Sequence, residues 1–140
     1  EESVHLAMFP ADAAALADDA IEDTWTRLIA IREQVNAALE LARQQKLIGT
    51  ALAASVTVHA SGEAAALLAA HEAELPMLFI TSGVTVVAGD APGIRVDVAR
   101  APGEKCPRCW RYVEDRVSVE GEEICGRCAE AVGNTAGTRG

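Results

Sequence analysis

The chain has 140 residues, half of them apolar but only 4% aromatic, and carries a formal net charge of −9. That length supports one ordinary domain or two small ones, with a core built from Ala, Val, Leu and Ile rather than from rings. No apolar run approaches the roughly 20 residues that span a bilayer, and the acidic balance argues against a general polyanion binder.

The charge is unevenly spread. Residues 1–26 carry seven acids and no Lys or Arg, whereas residues 27–46 carry Arg27, Arg32, Arg43 and Lys46 against Glu33 and Glu40. Lys105, Arg108 and Arg111 form a second basic run without an acid. Each basic face is either solvated surface or a polyanion contact. The chain opens on Glu1-Glu2-Ser3-Val4 with no initiator Met, which reads as a piece of a longer protein.

In chain order, residues 1–10 read as an extended lead-in ended by Pro10, and Asp12 as the N-cap of a short helix. A long amphipathic helix is predicted from Asp23, capped by Asp23 or Thr24. Its apolar stripe is Trp25, Leu28, Ile31, Val35, Ala38, Leu39 and Ala42, at three- and four-residue steps, and Gly49 stops it. Ser55–Ala60 alternates as a strand, with Val56, Val58 and Ala60 on one face and His59 on the other. A helix is predicted over 63–75, ended by Pro76. Met77–Thr81, Val84–Ala88 and Ile94–Val98 follow as strands. The expectation is an α+β chain: a long helix, a small β-α-β-β-β unit with one helix on its sheet, and a C-terminal module.

That module holds all four cysteines, as Cys106-Pro-Arg-Cys109 and Cys125-Gly-Arg-Cys128 with fifteen residues between the pairs. A Cys-x-x-Cys turn puts two sulfurs on one side of a tight loop, and two such turns joined by a hairpin close a tetrahedron around zinc. Pro107 pre-sets the first turn, and Gly126 relaxes the second. Val113, Val117 and Val119 supply the hairpin, with Glu120-Gly121-Glu122 at its turn. A redox dithiol would stand alone, two disulfides would need an oxidising compartment, and a deaminase zinc site would need an upstream His-x-Glu that His71-Glu72-Ala73-Glu74 does not supply. The domain expectation is 1–50 helical, 51–100 α+β, 101–133 zinc-binding and 134–140 a disordered tail.

Three stretches resemble the C-terminal part of a bacterial isoleucyl-tRNA synthetase. They are Ser3-Val4-His5-Leu6 with Phe9-Pro10; Arg32-x-x-Val35-Asn36 running through Glu40, Ala42-Arg43, Lys46, Ile48-Gly49, Leu52, Ala54 and Val56; and Lys105-Cys106-Pro107-Arg108-Cys109-Trp110 with Ile124-Cys125-Gly126-Arg127-Cys128. The resemblance implies a cytoplasmic, monomeric parent ligase that joins isoleucine to its tRNA using ATP. The parent's nucleotide-binding and editing domains have no counterpart in these residues. It further implies that residues 1–50 end the anticodon-binding domain and that the whole segment supports tRNA binding without catalysis.

The resulting expectations are one structural zinc on Cys106, Cys109, Cys125 and Cys128, and an RNA-facing patch of Arg108, Trp110 and Arg111 backed by Lys105 and Arg127. Two other readings stand beside this one. The first is a free-standing zinc module binding DNA, as in the zinc hairpin of formamidopyrimidine-type DNA glycosylases. The second is a zinc-stapled scaffold, in which Trp110 covers the sulfurs or packs on the sheet.

Overall fold

An Asp-rich run and a sustained 3.6-residue apolar period combine to make the dominant element. In a computed structural model describing residues 3–8 and 17–136, helix α1 spans Asp19–Gln44 and buries Leu28, Ile31, Val35, Leu39 and Ala42 on one face. Its N-cap is Asp18, whose Oδ1 accepts from the N–H groups of Ala20 and Ile21 at 3.0 and 3.1 Å. The helix therefore starts before the expected Asp23. Its first two turns carry no buried apolar residue, so periodicity alone could not reach them. Trp25, expected in the stripe, is 39% exposed and leans on His71, ring centroids 6.4 Å apart.

Gly49 does not end α1. The chain turns at Lys46, in the left-handed region at φ 59. The Leu47 N–H bonds to the Ala42 carbonyl and the Lys46 N–H to that of Arg43, the two bonds of a Schellman cap. A short 3₁₀ turn, Ala51–Ala53, leads into strand β1, Ala54–Ala60. Its alternation is borne out: Ala54, Val56, Val58 and Ala60 are buried.

Helix α2 covers Gly62–Ala70, shorter than the expected 63–75. Pro76 does not stop it. Pro76 lies in the first turn of a further short helix, α3 (Leu75–Leu78), where its missing N–H costs nothing. Met77–Thr81 is therefore not a strand. It completes α3 and a second Schellman cap, with Thr81 N–H on the Pro76 carbonyl and Ile80 N–H on that of Met77. The helical period explains the outcome: Leu75 and Phe79 are buried while Met77 and Ile80 face out.

Strands β2 (Gly83–Ala88) and β3 (Arg95–Arg100) complete a three-stranded sheet ordered β2-β1-β3. β1 and β2 run parallel, Val56 opposite Val84, across the helical connection that parallel pairing demands. β3 is antiparallel to β1, Val56 opposite Val98. The expected β-α-β-β-β unit thus has one strand fewer and one helical turn more. A single core joins the buried face of α1 to β1, Leu68 of α2, and Leu75 and Phe79 around α3.

The last unit pairs β4 (Glu104–Lys105) with β5 (Tyr112–Val113) and β6 (Arg116–Val119) with β7 (Glu122–Cys125). Glu120 and Gly121, at φ 52 and 87, make the two-residue turn whose twist matches the strands. Helix α4, Gly126–Ala136, follows. A hairpin alone was expected, with a tail disordered from 134. The helix runs through 134–136, and 137–140 lie outside the described residues, as do residues 1–2 and 9–16 with Phe9, Pro10 and Asp12.

Candidate metal centre and the surface around it

Each pair of cysteines sits at the end of a hairpin. Cys106 follows β4, and its knuckle closes on itself: Cys106 N–H donates to the Arg111 carbonyl at 2.8 Å, and Trp110 N–H to the Cys106 carbonyl at 2.9 Å. Trp110 takes φ 67 to make that return. Cys125 ends β7, and Cys128 lies on the first turn of α4. The four sulfurs all lie within 4.8 Å of one another, and Cys109 Sγ is 3.6 Å from Cys125 Sγ. A zinc tetrahedron with bonds of about 2.3 Å has edges of roughly 3.8 Å. The cluster fits that ion, and its donor set is the soft, all-thiol set zinc takes.

Electrostatics set Cys106 apart from Cys109 and Cys128. Burial opposes ionisation of Cys106, but N–H groups of Cys109, Cys125 and Arg108 outweigh it and bring the thiol down to about 6. Burial, then the neighbouring thiols of Cys125, Cys109 and Cys106, push Cys128 up to about 12. Burial also raises Cys109. The Cys106 sulfur ionises readily, and the cation must displace protons from Cys109 and Cys128. Ile124 and the cysteines form a small second core, with Val113, Val119, Ala129 and Val132 packed against it.

The five residues expected to face RNA divide into two groups. Lys105, Arg108, Trp110 and Arg127 are exposed. Lys105 Nζ stands 5.1 Å from the centroid of the Trp110 ring, a cation–π distance. Trp110 is 59% exposed and belongs to neither buried cluster. Arg108 reaches the Cys128 carbonyl at 3.5 Å. Arg111 differs: it is half-buried, and its Nη2 donates to the Ser82 carbonyl at 3.0 Å. It ties the metal unit to the sheet.

Ser82 is the residue that sequence reading missed. Its N–H donates to the Ala54 carbonyl at 3.0 Å and its hydroxyl to the Leu52 carbonyl at 2.5 Å. The same hydroxyl accepts the Tyr112 N–H at 2.6 Å. As half of a Ser-Gly turn signal it gave no hint of partners thirty residues away. Three of the four cations expected on the basic face of α1 also have partners within the chain. Arg27 pairs with Glu63, Arg43 with Glu40, and Arg32 donates to the Leu78 carbonyl. His59, on the outer sheet face, meets Asp97 at 2.8 Å and Arg95 at 2.9 Å, a surface cluster as its strand position implies.

Residues 103–131 match the family model described as the zinc finger found in FPG and IleRS. Similarity to curated proteins extends much further. The chain is 43% identical over 138 residues to an isoleucine–tRNA ligase of Desulforudis audaxviator (strain MP104C), covering 91% of the chain and 15% of that protein. It is 42% identical to one of Geobacter sulfurreducens, covering 94% of the chain and 15% of that protein. For one of Glaesserella parasuis serovar 5 the values are 44%, 86% and 14%. The chain thus spans about 15% of the length of the relatives it matches. With its four-thiol cluster in the matched finger, the chain belongs with the C-terminal zinc region of the isoleucine–tRNA ligases.

Proposed function

We propose that this chain is the part of an isoleucine–tRNA ligase that helps hold the tRNA, with one structural zinc on Cys106, Cys109, Cys125 and Cys128 organising its far end. The observation that carries this reading is identity of 42–44% to such ligases along 86–94% of the chain, with four sulfurs gathered at zinc spacing. Four protein ligands leave no open position, so the ion shapes the fold and activates no water. Four thiolates and one Zn²⁺ carry a formal −2, which Lys105, Arg108 and Arg127 offset from the surface. The chemistry of charging, isoleucine activation with ATP, belongs to the rest of the parent chain, a monomeric cytoplasmic enzyme. No described helix is long and apolar enough to cross a membrane.

The exposed ring of Trp110 with Lys105 over it, and Arg108 nearby, suits an unpaired base and its phosphate: aromatic platforms stack bases and guanidiniums fork onto phosphate. The test uses the full-length ligase. Lys105→Ala with Arg108→Ala should leave zinc content and isoleucine-dependent pyrophosphate exchange intact. It should weaken tRNA binding and flatten its salt dependence, by about 0.7 in the log–log slope per lost phosphate contact to single-stranded RNA. Unchanged tRNA affinity would favour a scaffold, a reading the net charge of −9 supports.

A further inference from the structure

A groove of about 400 Å³ lies between α3 and the metal unit. Leu52, Pro76, Met77 and Ile80 line it with apolar groups, Arg111 and Arg127 with cations, and Glu74 is the one acid among the described lining residues. Three observations separate it from ordinary surface. Met77 is 68% exposed and Ile80 52%, and both line the groove, from α3 and from the cap that follows it. Ile80 also stands at φ 57, a backbone angle that is costly for a β-branched residue and that Gly or Asn takes readily at a helix end. The sequence keeps an apolar side chain where the turn alone favours Gly, and strain of this kind collects at functional positions. Finally, among the described residues Arg111 Nε is buried without a hydrogen-bond partner, although the same guanidinium holds Ser82. The buried nitrogen is out of reach of the groove, which Arg111 lines with the rest of its side chain.

We infer that this groove receives an unpaired stretch of the tRNA, a base against Met77 and Ile80 and its phosphate on Arg127 and Arg111. The inference rests on the tRNA reading above and adds a second contact face to it, separate from the Trp110 ring. Two guanidiniums facing one carboxylate give the charge complementarity a phosphate needs. The apolar wall accepts a base face without reading its edge.

The test measures binding of the cognate tRNA to the full-length ligase across salt concentrations, with thermal midpoints alongside. Ile80→Gly removes the apolar wall and the strained angle together. It should leave the midpoint unchanged or higher while weakening tRNA binding about fivefold, the lower end for losing one base contact, with the salt slope preserved. Arg127→Ala should weaken binding and lower the slope by about 0.7. Met77→Ser repeats the apolar arm without touching the backbone angle. If Trp110→Ala weakens binding while all three groove variants bind as wild type, the groove assignment fails and the tRNA reading stands. If Trp110→Ala and the groove variants all bind as wild type, the tRNA reading itself fails. If Ile80→Gly and Met77→Ser lower the midpoint but not the affinity, the groove is covered by another part of the ligase chain, and the inference is overturned.

Discussion

At Gly103 the backbone stands at φ 81, and a Cβ placed there would lie 2.1 Å from the Val113 carbonyl oxygen. No side chain fits, because β4 and β5 close over that point to bring Cys106 into the cluster. Gly103→Ala should therefore cost well over about 1 kcal/mol and weaken zinc affinity, read by chelator competition; Gly133→Ala, on α4 with open space around it and no positive φ, should keep the affinity. The Glu40 carboxylate makes a pH argument at the same scale. Hydrogen bonds from Arg43, then Gln44, hold it at about 2 against an ordinary 4.5. Its stabilising contribution is present above pH 4.5 and is lost as pH falls through about 2. Because the pair is fully exposed, water screens most of it. Comparing helicity of wild type and Glu40→Gln should show a small deficit at pH 7 that vanishes near pH 2.

Among the elements, α1 rests on a cap and a stripe that differ in reach. Asp18 satisfies two N–H groups at the start, and Asp18→Ala should cost about 1 kcal/mol in urea unfolding. Asp23→Ala, on an exposed turn inside the helix, should stay within about 0.5 kcal/mol. The reverse ranking would restore the later start that periodicity suggested. α3 shows the opposite balance. It is four residues long and makes little helix of its own; it is held because Leu75 and Phe79 are buried and Arg32 caps the Leu78 carbonyl from α1.

At the scale of the molecule, the two cores found among the described residues are joined through Ser82 and Arg111. The cluster of α1, β1 and the short helices contains no metal ligand, whereas the second core consists of Ile124 and the cysteines with a few neighbours. Cys125→Ser or chelation should then unfold the metal unit, whose folding free energy comes largely from the ion, and leave the sheet folded. Hydrogen exchange checks this: β6, β7 and α4 should lose protection while β1 keeps it. Loss of protection in β1 as well would make the two units one cooperative block. Ser82→Ala should act between the two, leaving the Tyr112 N–H without its acceptor at a cost of about 1–3 kcal/mol, with zinc retained.

By itself the sequence determined the four-cysteine cluster, the long helix and the central strand. The reason is locality: Cys-x-x-Cys turns, a 3.6-residue stripe and a two-residue alternation each carry their geometry within a few residues. The pairing of β1 with both β2 and β3, the conversion of Met77–Thr81 from strand to helix, and the inward turn of Arg111 were decided only by tertiary structure. In each of these a residue's fate depends on a partner far along the chain. Met77–Thr81 has β-type composition, yet Phe79 had to meet the core and Arg32 had to reach the Leu78 carbonyl. Arg111 sits in a basic run that reads as surface until the Ser82 carbonyl, 29 positions earlier, comes to lie beside it.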